Sequence, residues 1–170
     1  MKNHGRRHRL AVAAVAGCLA LPLLSACTPA WDRVFGVRVV EGHLVIDPAR
    51  CPNETVNDVM IRTRVNGEEG ENHWFASPDT METNVDQVDS GALAPGWTGS
   101  GDAPGLRADA TYSFTVTVSR GDRPHTGAFT VDGAVLLGLG ADQVVRGQGR
   151  HEREVMTLAD YRAQVDKRCG

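Results

Sequence analysis

Thr111-Tyr112-Ser113-Phe114-Thr115-Val116-Thr117-Val118 alternates strictly between apolar and hydroxyl-bearing side chains. A period of two places Tyr112, Phe114, Val116 and Val118 on one face and the threonines and serine on the other. That pattern marks a strand with one face in a core and one in water. Arg120 to His125 follows as a turn, and Ala128 to Leu137 reads as the next strand.

Upstream, two β-branched runs between Phe35 and Asp47 flank Glu41-Gly42, which predicts a hairpin. Pro48 and Pro52 interrupt the ladder around Cys51, and Val56 to Val65 is a third strand ending at the turn Asn66-Gly67. Glu68 to Glu71 reads as a solvated loop, His73 to Ala76 as a short apolar piece around Trp74, and Met81 to Val88 as one edge strand. Residues 77–110 are the least ordered by composition, with Gly, Ala and Pro dense from Ser90 to Asp109. The C-terminus is helical. Thr157 caps it with Asp160 three residues on, Leu158, Tyr161 and Val165 share a face, and Lys167 and Arg168 suit the negative end of the helix dipole. These elements predict a mainly β protein, an antiparallel β-sandwich of about seven strands, with a short C-terminal helix over 157–168.

Gly105-Leu106-Arg107-Ala108-Asp109-Ala110-Thr111-Tyr112 is similar to the E–F corner of fibronectin type III domains. There a Leu precedes a Tyr by six positions, the Leu plugs the core, and the Tyr hydroxyl bonds back to the corner backbone. Leu106 and Tyr112 hold that spacing, while Ala108 stands where the family usually has Pro. The resemblance implies an Ig-like/fibronectin type III-like sandwich and says little about function.

The N-terminus carries an address. Lys2, Arg6, Arg7 and Arg9 precede an apolar run from Leu10 to Leu24, the pattern of a secretory signal and too short for a span of roughly 20 residues. Leu24-Ser25-Ala26-Cys27 resembles the lipobox of bacterial lipoproteins. The resemblance implies cleavage by signal peptidase II before Cys27, diacylglycerol on its thiol, and membrane lipid as a partner through that residue. A looser match, Val15-Ala16-Gly17-Cys18, would leave Leu19 to Leu24 on the mature chain. Arg6-Arg7 reads as an ordinary basic n-region. The predicted organisation is therefore a signal peptide over 1–26, a lipidated tether over 27–33 reaching about 20 Å from the lipid, and a domain over 34–170. Localisation follows as the extracytoplasmic face of the cell membrane. The mature chain also resembles small actinobacterial lipoproteins of unknown function. Those share a Gly/Val hairpin, a Cys soon after it, a Pro-Gly-aromatic loop (Pro95-Gly96-Trp97) and a short helix ending in Cys.

Removing the leader's four basic residues from 18 leaves 14 against 21 acids, a mature charge of −7. That charge argues against nucleic acid as a partner. Lys occurs only at 2 and 167 and Ile only at 46 and 61, the bias of high-GC coding. With Cys27 acylated, Cys51 and Cys169 remain as an even pair. Outside the cytoplasm such a pair becomes a disulfide. The alternative is a two-thiolate metal site, for which no CxxC or HxH spacing speaks.

Other candidates have bland counterparts. Trp97, on a Gly/Pro-rich loop, either stacks on a sugar or anchors a protein, or folds back as a plug over the sandwich edge. Trp31 suits a membrane interface. Arg120-Gly121-Asp122 matches an adhesion tripeptide and equally a hairpin turn. Asp79, Glu82, Asp86 and Asp89 lack EF-hand spacing and read as a solvated acidic face. His43, His73, His125 and His151 are scattered, and there is no HExxH, Gly-x-Ser-x-Gly or P-loop. Asn53-Glu54-Thr55 matches a glycosylation acceptor, and Gly138-Leu139-Gly140 reads as a turn. The expectation is a non-catalytic binding or interaction module of the envelope, taking an envelope protein or glycan, with no cofactor and no metal. The alternative is a structural or accessory subunit of an envelope transport or wall-assembly complex, ahead of an enzyme whose carboxylates and histidines converge only in three dimensions.

Overall fold

In the computed structural model, residues 34–80, 84–148 and 152–170 are described. The lipobox Leu24-Ser25-Ala26-Cys27, Cys18, Trp31, Glu82 and His151 lie outside those residues, as do the first three positions of the expected edge strand Met81 to Val88.

The chain forms two antiparallel five-stranded sheets packed as a sandwich. The strands are β1 (Phe35–Val40), β2 (His43–Asp47), β3 (Thr55–Val65), β4 (Glu68–Pro78), β5 (Val88–Asp89), β6 (Trp97–Ser100), β7 (Ala110–Arg120), β8 (Arg123–Asp132), β9 (Gln143–Gln148) and β10 (Glu152–Thr157). Two helices join them, α1 (Gly133–Leu137) and α2 (Leu158–Cys169). Sheet A runs β10-β9-β1-β2-β5 and sheet B runs β6-β4-β3-β7-β8.

Strand β7 lies inside sheet B between β3 and β8 and buries Ala110, Tyr112, Phe114, Val116 and Val118, the face its alternation predicts. Opposite lie Phe35, Val37, Leu44, Ile46 and Val145 from sheet A, all 0 % exposed. Phe129 of β8 links the layers, with its ring centroid 4.6 Å from Phe35 and 5.6 Å from Phe114. A Cβ on Gly147 of β9 would fall 2.1 Å from the Phe129 ring, so only glycine lets the two sheets close at this edge. The three-residue step from Val56 to Val59 breaks strict alternation. A bulge between Val56 and Asp58 restores it by returning Val59 and Ile61 to the core face.

The tyrosine corner forms. The Tyr112 hydroxyl accepts from the Arg107 backbone N–H at 2.8 Å and donates to the Gly105 carbonyl at 2.7 Å. Gly133 packs beneath it, since a Cβ there would sit 1.8 Å from the Arg107 oxygen.

Several expected boundaries move. The strand expected over Ala128 to Leu137 ends at Asp132, and Gly133–Leu137 is α1. The turn expected over Arg120 to His125 narrows to Gly121-Asp122, with Arg120 and Arg123 already paired. Glu68 to Glu71 belongs to β4, with Glu68 and Glu69 pairing back onto Val65 and Arg64 of β3. The expected edge strand before Val88 is only Val88–Asp89. Strands β9 and β10, with neither a long apolar run nor a turn dipeptide, carry the count past seven; they owe their conformation to pairing with β1 and each other.

Helix α2 lies on the outer face of sheet A. Tyr161, 0 % exposed, packs with Val144 and Ala49, and Met156, Leu158 and Val165 border them. Thr157 caps the helix by accepting the Asp160 N–H at 3.1 Å. Gly36 makes room, because a Cβ there would fall 2.9 Å from the Tyr161 ring and 2.7 Å from Val144. A disulfide between Cys51 and Cys169 fixes the far end of α2. With its ends 118 positions apart in the chain, such a link restrains the unfolded chain by about 4–5 kcal/mol in the loop-entropy description.

Candidate functional site

The two sheets present different outer faces. That of sheet A is partly covered by α2. On sheet B, the same alternation that fills the core points the other half of each strand outward; α2 contacts β9 and β10 of sheet A, and the short α1 meets β7 and β8 where its Leu136 enters the core. Cross-strand register sets this face in rows. His73, Arg62, Ser113 and Thr130 form one row. Ser100, Phe75, Met60, Thr115 and Ala128 form the next. Asp58, Thr117 and Thr126 form a third. Phe75 and Met60 are half-buried and adjacent, while Arg62 and His73 are exposed. Hydroxyls bridge neighbouring strands, Ser113 with Thr130 and Thr117 with Thr126, each at 3.2 Å. Desolvation on this face pushes the Asp58 carboxyl above its ordinary value, opposed by a hydrogen bond with Thr117. The result is a flat surface with an apolar centre and hydrogen-bonding groups on either side.

A second cluster surrounds the disulfide. Glu54, 5 % exposed, accepts the Cys51 N–H at 2.8 Å and an Arg120 N–H at 3.2 Å, and its carboxylate lies 3.8 Å from Arg168. Arg168 also donates to the Ala49 carbonyl, closing the corner where Ala49 adopts a positive φ of 51°. Beside it the Tyr161 hydroxyl donates to the Asp47 carbonyl at 3.0 Å, and the Asp47 side chain accepts the Ala49 N–H at 3.0 Å. Burial raises the Asp47 carboxyl, against the lowering effect of the Ala49 and Tyr161 hydrogen bonds. Burial first, and the Asp47 charge second, push the Tyr161 hydroxyl far up. Val34, Ala49, Tyr161 and Val165, with Arg146 and Arg168, line a pocket of about 160 Å³ here. These contacts secure the helix; they do not pair a base with a nucleophile.

The residues singled out in the sequence do not converge. Cys51 and Cys169 meet as the disulfide, away from Trp97 on β6. Trp97 is 7 % exposed and belongs to the core cluster, the plug arrangement weighed for it, and its Nε1 is buried with no hydrogen-bond partner among the described residues. The Pro-Gly turn before it, with Gly96 at φ 78°, directs β6 back under β4. Arg120-Gly121-Asp122 is the β7–β8 turn, with Arg120 engaged by Glu54. Asp86 pairs with Arg50 at 2.7 Å and Asp89 accepts the Gly91 N–H at 2.8 Å. The His43 ring lies over Gly91. Among the described residues, no three His, Cys, Asp or Glu side chains gather as metal ligands would, and no helix is long and apolar enough to cross a membrane.

Sequence reasoning missed the sheet B surface, Glu54 and Asp47. The first was legible in part from the polar half of β7, but the pairing of Phe75 with Met60 needs the β3–β4 register. Glu54 sat inside an apparent glycosylation acceptor, where nothing local indicates burial.

No family model, curated protein or solved structure matches the chain.

Proposed function

We propose that the chain is an exported lipoprotein, anchored through Cys27 on the outer face of a membrane, whose sandwich is a non-catalytic binding module for a protein partner in the envelope. The observation that carries this reading is the contrast between the two outer faces. Sheet A is occupied by its own helix, whereas sheet B leaves Phe75 and Met60 side by side among Arg62, His73 and a ladder of hydroxyls. Aromatic residues, Met and Arg are the types enriched where proteins meet, and serine and threonine hydroxyls adapt to either donors or acceptors. The anchor follows from the lipobox resemblance, and Val34, seven residues beyond Cys27, lies beside α2. The domain begins at Val34 on the α2 side, which leaves the opposite sheet available to a partner.

Two measurements test it. Metabolic labelling with an alkyne fatty acid should mark the wild type and not Cys27→Ser; labelling of both removes the anchor. Crosslinking in intact cells, followed by mass spectrometry, should capture one protein with the wild type and lose it with the double variant Met60→Ser, Phe75→Ser. Equal capture by both moves the site off sheet B, and retention on isolated glycan without any protein replaces the partner class.

A further inference from the structure

The environment of the disulfide is asymmetric. Cys51 is 2 % exposed, whereas Cys169 is half-buried at the end of α2 and lines an open hollow of about 540 Å³ with Arg50, Pro52, Asp166 and Gly170. One guanidinium reaches both sulfurs: Arg168 Nη2 lies 3.6 Å from Cys51 Sγ and 4.0 Å from Cys169 Sγ. Of the other charges nearby, Glu54 faces both Arg120 and Arg168, Arg50 pairs with Asp86, and Asp166 lines the hollow. A neighbouring arginine favours thiolate over thiol, and a better thiolate is a better leaving group in exchange.

We propose that Cys51–Cys169 is a thiol-exchange site, opened by an extracytoplasmic dithiol oxidoreductase that attacks Sγ of Cys169. The partner's thiolate forms a mixed disulfide with Cys169, the Cys51–Cys169 bond breaks, and the electron pair leaves on Cys51 as a thiolate beside Arg168. The partner's second thiol, losing its proton to solvent, then attacks the partner's first sulfur in the mixed disulfide and releases the Cys169 thiolate; the Cys169 and Cys51 thiolates each take up a proton. The partner ends as a disulfide and this chain as a dithiol, a two-electron transfer. Opening the bond removes the covalent tie at the end of α2, which leaves the Arg168 contacts with Ala49 and Glu54 and the small cluster around Tyr161 to hold the helix.

The test is the second-order rate at which dithiothreitol reduces the folded full chain, followed by alkylation and mass spectrometry. A charge effect of one to two pKa units on the leaving thiol, at a sensitivity of about one half per unit, predicts reduction about threefold to tenfold slower in Arg168→Gln. Arg168→Lys should restore most of the rate. Because Arg168 also holds the Ala49 carbonyl, a purely structural role would loosen the helix and make Arg168→Gln faster; an equal or faster rate overturns the proposal. A thioredoxin whose resolving cysteine is Ser should be trapped on Cys169. Trapping on Cys51, or no reduction until the protein unfolds, overturns it as well.

Discussion

Replacing Tyr112 with Phe removes one oxygen from the corner that leads into β7 and leaves the buried ring in place. The hydroxyl makes two backbone hydrogen bonds, from Arg107 N at 2.8 Å and to Gly105 O at 2.7 Å. Each is worth about 1 kcal/mol net. Gly105 and Arg107 are themselves exposed, so water can reach the freed groups and the larger penalty of a sealed, unpaired donor does not apply. No cavity forms, because the ring still packs. The expected loss is therefore about 2 kcal/mol, which for a domain of this size lowers Tm by about 7 °C. Urea unfolding followed by far-ultraviolet circular dichroism, with the disulfide intact, measures it, and the slope with denaturant should stay that of the wild type. A loss under about 0.5 kcal/mol would refute the reasoning that the corner is an energetic fixture and not a by-product of chain direction.

Three further outcomes follow from the packing. Gly36→Ala pushes a methyl into the Tyr161 ring and Val144; it should cost about 1–3 kcal/mol and raise hydrogen exchange in α2 ahead of β7, and uniform exchange would contradict it. Trp97→Ala should destabilise the fold by about 3–5 kcal/mol, and acrylamide should quench Trp97 weakly in the native state; strong quenching would return its indole to the surface. Asp47 has a folded pKa above its ordinary 3.8, with burial as the main cause, so the folded state holds this proton where the unfolded chain has released it. Stability from this group falls as pH rises from about 3.8 to the folded value and stays lower above it; Asp47→Asn, whose amide oxygen can still accept from Ala49, should gain on the wild type over that climb in parallel urea titrations, and a constant difference at every pH would rule out the burial effect.

The sequence by itself determined the layer type, the buried face of β7 and the cap of the last helix. Period two in β7 needs no partner to be read, because water and core select opposite side chains along any half-buried strand. The capping box at Thr157 and the Leu106–Tyr112 spacing are local devices, satisfied within a few residues of themselves. What the tertiary structure alone decided is everything that depends on register. Strands β9 and β10 exist because β1 offers an edge; Val59 faces inward because a bulge absorbs Asn57; Trp97 is core because β6 pairs with β4. Glu54, Arg120 and Arg168 lie far apart along the chain and share one corner only once the sandwich closes. Periodicity reports which way a side chain points from its own strand, whereas its neighbours are set by which strand lies alongside and at what offset, and that is decided by the packing of the whole core.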